Sequence, residues 1–288
     1  VRADLSRLAI HTRTVRAWDL RACCAGFASA GVGGVSVWRE LIDPAEGGVP
    51  MAEAARTIAD SGLRVPALVR AGFFVSSDTA VRRAAVEDAR RAIADARAIG
   101  AEQVVLVVGA AAGVALEAAR DTAYEAVRTI ADDAAGAGVR LAIEPLHPMY
   151  AADRCCVNTL ASANELCDRL DHPAVGVALD PYHIWWEPGL GSQIARAGDA
   201  GRIFGVHLCD WRTPMRDPLN DRGLMGDGCI DLPGFVRAVE AAGFAGMYEV
   251  EVFSDEYWAM EPTAFVELIV ERYGALMAAA AGAGGLDG

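Results

Sequence analysis

The stretch "VGVALDPYHIWW", Val175 to Trp186, begins as an apolar run and ends in a cluster of polar and aromatic groups. Side chains alternate along a strand, so Val175, Val177 and Leu179 point one way and Gly176, Ala178 and Asp180 the other. A carboxylate therefore shares a face with a glycine and an alanine at the end of an otherwise buried strand. Three other runs repeat the pattern. In "RLAIEPL", Leu141 and Ile143 lie on one face, with Ala142 and Glu144 on the other. "RIFGVHLCD" sets Phe204, Val206 and Leu208 against Gly205 and His207, and "MYEVEVF" sets Val250 and Val252 against Glu249 and Glu251.

Outward from these, "RLAIHT", "GVSVW", "VPALVRA" and "EQVVLVVG" are further short apolar runs. Longer amphipathic runs rich in alanine and arginine separate them, at the spacing of helices. Helices are expected over 20–30, 52–61, 79–99, 116–137, 159–170 and 232–242, with a short one around Gln193 and a last one from Pro262. Apolar strands that each precede a helix indicate a parallel sheet covered by helices. Eight such units in 288 residues fit an α/β fold of the (β/α)8 TIM-barrel type better than an open doubly wound sheet. No glycine-rich phosphate fingerprint follows the first strand, which argues against a nucleotide site. With no linker and no break in composition, residues 1–278 read as a single barrel domain. The low-complexity end, 279–288, reads as a disordered tail.

An apolar content of 53% is enough for a large core. The net charge is −13, from 39 acidic and 26 basic residues, and every basic residue is arginine. Such an acidic chain is a poor partner for nucleic acid, whose binding needs phosphate-neutralising cations. The seven cysteines form no CxxC pair and sit in apolar segments, as expected of reduced thiols in a cytoplasmic protein. The apolar runs are too short or too interrupted by charge for a membrane span, and residues 1–12 lack the layout of a secretory signal.

In a barrel of this type the C-terminal strand ends build the active site. Glu144, Asp180, His207 and Glu251 would all point into that mouth. Carboxylates converging with one imidazole repel one another and raise each other's pKa, and a divalent cation relieves the conflict. An oxygen-rich set with a single nitrogen suits Mn²⁺, Mg²⁺, Co²⁺ or Zn²⁺. One such group alone reads as a structural hydrogen-bonder or helix cap; four on strands of one barrel read as a metal site. Glu249 shares the inward face with Glu251. Glu251 is preferred as the ligand because it lies nearer the C-terminal end, which leaves Glu249 in the layer below.

"AIEPL", "ALDPYH", "GVHLCD" followed by "DRGLMGDGCIDL", and "EVEVFSDEYW" resemble the xylose isomerase-like superfamily of sugar isomerases and epimerases. The nearest likeness is to ketose 3-epimerases, hydroxypyruvate isomerases and inosose isomerases and dehydratases. The resemblance implies one divalent ion held by Glu144, Asp180, His207 and Glu251. It also implies that the two glutamates move the substrate proton and that His183 and Arg222 contact the substrate. A homo-oligomer, dimer or tetramer, is expected as well. The segment "HPMYAADRCCVNT" departs from a simple epimerase loop and offers His147 and Asp153 as further acid-base groups. Trp185, Trp186 and "DWRTPMRDPLNDRG" add bulk at the mouth.

Other residues at the same end join the list. His147 is a candidate catalytic group, against simple loop stabilisation. His11 ends the first strand and is a candidate substrate contact. Trp38 and Arg39 end the second strand and Arg70 the third, a possible sugar-binding wall or packing under the next helix. His172, before a proline on the opposite side, reads as structural. The expected activity is isomerisation or epimerisation of a keto-sugar or cyclitol ketone, by proton abstraction next to a polarised carbonyl and through an enediolate. A lyase that eliminates a group from the next carbon, with His147 or His183 as general acid, starts with the same step. Phosphodiester cleavage of the endonuclease IV type would need many histidines, and only five are present. A barrel that binds sugar without turning it over would have little use for a complete ligand set.

Overall fold

The computed structural model describes residues 4–282. Each expected apolar run becomes a strand. β1 (Leu8–His11) leads to α1 (Leu20–Ser29), β2 (Gly34–Trp38) to α2 (Met51–Ser61), and β3 (Ala67–Gly72) to α3 (Thr79–Ile99). β4 (Gln103–Val107) precedes α4 (Leu116–Ala137), and β5 (Arg140–Ile143) precedes α5 (Leu160–Leu170). β6 (Val175–Leu179) runs into the single turn α6 (Pro181–Ile184) and then α7 (Leu190–Asp199). After β7 (Ile203–Leu208) comes a ribbon of β8 (Asp210–Trp211) and β9 (Arg222–Gly223), followed by α8 (Leu232–Ala241). β10 (Tyr248–Val250), the turn α9 (Asp255–Trp258) and α10 (Pro262–Gly282) complete the chain. Strands β1 to β7 and β10 close a parallel barrel in the order β1-β10-β7-β6-β5-β4-β3-β2.

Local chemistry sets the helix limits. Asp19, Asp78 and Asp231 each accept a backbone N–H in the first turn of α1, α3 and α8. Gly100 and Gly138 end α3 and α4 with φ of +74° and +71°, a conformation that costs a residue with a Cβ. Three expectations are corrected. The helix expected to be short around Gln193 runs for ten residues. The polar loop after β7 contains the β8–β9 ribbon. Residues 279–282, assigned to the tail, continue α10, and the rest of that tail lies outside the described residues. No described helix is long and apolar enough to cross a membrane.

Outward-facing residues such as Ile10, Val35, Leu106, Ile143 and Val177 are fully buried beneath the helices in one large cluster. Ala67, Val69, Val105, Ala142 and Ala178 form a separate cluster inside the barrel. Phe204 joins this inner cluster, contrary to the outward position expected from alternation. The cause is a bulge. Val177 pairs with Ile203 but Ala178 with Gly205, so Phe204 is the extra residue and leaves the pleat. Gly176 makes the room: a Cβ there would lie 2.4 Å from the Arg202 carbonyl oxygen and 2.7 Å from the Phe204 ring. Gly176→Ala is therefore expected to destabilise the protein by about 1–3 kcal/mol, the usual range for overpacking. Urea unfolding checks this, and an unchanged midpoint would show that the ring shifts freely.

Candidate active site

The four ligand candidates meet at the C-terminal end of the barrel: His207 lies within β7, and Glu144, Asp180 and Glu251 directly follow β5, β6 and β10. The Glu144 N–H donates to Leu106 O at 3.0 Å, and the Glu251 N–H to Leu208 O at 3.2 Å. Thr14 locks the second of these: its hydroxyl donates to Val250 O (3.1 Å) and accepts from Val252 N (3.0 Å). Asp180 caps α6, accepting the Tyr182 N–H at 2.9 Å, and this turns its other oxygen toward the mouth. Glu144, Asp180, His207 and Glu251 are all buried, and one ligand atom from each lies within 4.8 Å of the others.

The charges in this cluster are unevenly met. Arg222 Nη1 donates to Asp180 Oδ2 at 2.9 Å and to Glu251 Oε2 at 2.8 Å. Burial opposes ionisation of Glu251, but His11, Arg222 and His207 outweigh it and hold the carboxyl well below its usual range. Glu144 lacks such a cation, and burial raises its pKa despite His207. His207 resists burial through the charges of Glu144, Glu251 and Glu249 and is raised to about 10. Glu144 Oε1 and His207 Nδ1 approach to 2.9 Å, yet neither atom has a hydrogen-bond partner. Buried polar atoms are almost always satisfied. A ring nitrogen and a carboxylate oxygen side by side without an aligned hydrogen bond, with two more carboxylates in reach, fit a divalent ion that would take the place of the imidazole proton.

Arg222 reaches the cluster through structure built by the loop after β7. Asp210 accepts four backbone N–H groups, from Trp211, Gly226, Gly228 and Ile230, at 2.8–3.1 Å. This folds "RGLMGDG" back onto β8. The Arg222 N–H then bonds Phe253 O at 2.9 Å, and its guanidinium lies between the rings of Tyr182 and Phe253 at 4.6 and 4.8 Å. A loop that looks mobile in sequence holds a buried, fixed arginine.

A cavity of about 170 Å³ opens above the cluster. Glu144, Glu251, His183, Arg222, Trp38 and Arg70 all line it. His183 accepts the His147 N–H at Nδ1 (3.2 Å), and its Nε2 lies 3.2 Å from Arg222 Nη2. Burial, only partly offset by Asp180 and reinforced by Arg222, lowers its pKa to about 3, so the ring is neutral.

Four expected contacts lie elsewhere. His11 is wholly buried below the floor, with Nδ1 3.1 Å from Glu251 Oε1 and Nε2 3.5 Å from Glu249 Oε2. The pairing of Ile10 with Val250 sets His11 beside Glu251, whose carboxylate stands between it and the cavity. The His147 ring packs on Trp211 and Trp186, at 4.8 and 5.7 Å, and does not line the cavity; its backbone N–H is what reaches the site. Trp185 packs on Trp211 at 5.8 Å, outside the cavity wall. Arg39 turns outward to Asp88 at 2.7 Å. Glu249 sits in the layer below, bonded by Ser36 Oγ at 2.6 Å and Gln103 Nε2 at 3.5 Å.

Sequence reasoning missed Arg13, Phe73, Tyr150, Arg154, Asn220, Phe253 and Trp258, which also line the cavity. They come from loops and single helical turns, too short for periodicity to tell which side chain turns inward.

A closed (β/α)8 barrel with a buried carboxylate–imidazole cluster beneath a small cavity is the build of a barrel enzyme. The chain belongs to the xylose isomerase-like TIM barrel family, whose model matches residues 25–269. It is 29% identical over 149 residues to the inosose isomerase of Bacillus subtilis (strain 168), a match spanning 50% of this chain and 51% of that protein. It is 31% identical over 137 residues to a 3-dehydroshikimate dehydratase of Pseudomonas putida, spanning 46% of this chain and 21% of that protein. A crystal structure of the protein SMc04130 from Sinorhizobium meliloti 1021 superposes with a TM-score of 0.89 at 43% identity. That match covers 94% of this chain and 98% of the other.

Proposed function

We propose that this enzyme is a divalent-metal-dependent isomerase or epimerase of a small ketone-bearing polyol, a sugar or a cyclitol. The observation that carries this reading is the buried cluster of Glu144, Asp180, His207 and Glu251, with its unsatisfied atoms on the cavity floor. These four residues would hold the ion, and the donor set admits Mn²⁺, Mg²⁺, Co²⁺ or Zn²⁺. When bound, such an ion polarises a carbonyl and so acidifies the neighbouring C–H. Glu144 and Glu251 reach the floor from β5 and β10, which are not neighbours in the barrel. A carboxylate oxygen of one takes the proton from carbon, and the other returns a proton from its own side. Arg222 and His183 orient hydroxyl groups, while Trp38, Phe73 and Phe253 narrow the mouth and limit water. The similarity to an inosose isomerase supports a cyclitol ketone among the substrates.

The second reading, a lyase, has the similarity to a dehydratase in its favour. In that case a departing hydroxyl would meet Arg222 and the neutral ring of His183, which can hydrogen-bond it but is no cationic acid. Incubating the Mn²⁺-loaded enzyme with inososes and keto-sugars in deuterated water separates the two. Deuterium at the carbon beside the carbonyl, without loss of water, is the expected result. Loss of water from the labelled product would replace the isomerase by the lyase, and the absence of any exchange across the panel would overturn both.

A further inference from the structure

Four arginines line the cavity, and their partners divide them into two kinds. Arg222 is bound to Asp180 and Glu251, and Arg13 reaches Glu40 at 3.0 Å. The guanidiniums of Arg70 and Arg154 form neither an ion pair nor a hydrogen bond with any described residue. Instead they rest on rings. Arg70 lies 4.5 Å from the centre of Phe73 and 5.7 Å from that of Trp38, and Arg154 lies 5.3 Å from that of Tyr150. Ring faces fix a guanidinium in place but leave its N–H donors unused. Phe73, whose φ of +54° is uncommon for a residue with a Cβ, holds its ring over the Arg70 guanidinium.

Burial, and next the charge of Arg154, draws the pKa of Arg70 down, while Glu144, Glu251 and Glu40 act on it only at a distance. Two cations therefore share one wall of the cavity with no carboxylate in ion-pair contact, in a chain that has 39 carboxylates to offer. Half-buried, unpaired charge is unfavourable unless something else neutralises it.

We infer that Arg70 and Arg154 form a subsite for a substrate carboxylate, so that the ketone-bearing polyol turned over on the cavity floor also carries an acid group. The inference rests on the proposed function for what happens at the floor, and on the two unpaired guanidiniums for the anion. Two planar forks match the two oxygens of a carboxylate. A cavity of about 170 Å³ suits a short acid.

The test uses Mn²⁺-loaded enzyme and three unreactive probes that share a pair of neighbouring hydroxyls: glycerol, glycerate and glycerol 3-phosphate. Calorimetric titration should show glycerate binding at least about tenfold more tightly than glycerol. That preference should fall at least about tenfold in the Arg70→Gln, Arg154→Gln double variant, with glycerol affinity unchanged. The Arg70→Lys, Arg154→Lys double variant keeps the charges and should keep much of the preference, which separates the subsite from damage to the fold. Equal binding of glycerol and glycerate to the parent enzyme, or a preference undiminished in the glutamine variant, would overturn the subsite. A preference confined to glycerol 3-phosphate would overturn the carboxylate. Glycerol binding that does not depend on Mn²⁺ would instead count against the proposed floor, since the arginine wall is read from the ratio between probes.

Discussion

Exchanging Glu251 for glutamine is expected to slow turnover by at least about a hundredfold, the scale of a lost general acid-base group. The amide keeps an oxygen able to ligate but cannot take a proton, so much of the bound ion should remain. The surroundings support a clean substitution. One carboxylate oxygen of Glu251 faces Arg222 at 2.8 Å and the other faces His11 at 3.1 Å, and a glutamine can still meet Arg222 with its oxygen. Glu249→Gln is the control. Its carboxylate is bonded to Ser36 and Gln103 in the layer below, so its loss should affect stability more than the rate of turnover. His147→Ala, with its ring packed on Trp211, should stay close to the parent enzyme in kcat. Steady-state kinetics with metal analysis of each variant decides the matter. A dead Glu249→Gln beside a fully active Glu251→Gln would mean that the working glutamate is the lower one.

Asp180→Asn and His207→Ala are expected to lose the metal. The parent enzyme should carry about one divalent ion per chain, and each variant only a small fraction of that, because ligand charge and the single nitrogen are both needed to offset desolvation of the ion. Elemental analysis after dialysis gives the answer, and full occupancy in both variants would refute the site. The two substitutions differ in their side effects. Asp180 also accepts a hydrogen bond from Arg222 at 2.9 Å, and removing one partner of a buried ion pair costs about 3–5 kcal/mol when nothing replaces it. Arg222 retains Glu251, so the loss in Asp180→Asn should be smaller. Comparing the metal-free stabilities of parent and variant separates this effect from loss of the ion.

The sequence by itself determined the barrel and the strand ends at which its candidate ligands sit. Alternation along a strand is a property of neighbouring residues, so small residues below and Glu144, Asp180 and His207 above are legible in each segment alone. Choosing Glu251 over Glu249 followed from position along the strand, and pairing of Glu249 with His207 places Glu251 one step higher. Helix limits were equally local, because aspartate caps and glycine ends act within a turn.

Only the tertiary structure decided what depends on contacts between distant segments. Phe204 turned inward because the register between β6 and β7 slips by one residue over Gly176, and alternation within β7 cannot register that. His11 is shut in beside Glu251 and Glu249 because barrel closure pairs the first strand with the last, a contact between the two ends of the chain. Arg222 was fixed by four amides gathered on Asp210, and His147 and Trp185 were drawn away by Trp211. The pairing of every arginine at the mouth is likewise a matter of which carboxylates the fold brings within reach. Composition counts 39 of them; only the packed chain leaves Arg70 and Arg154 with none.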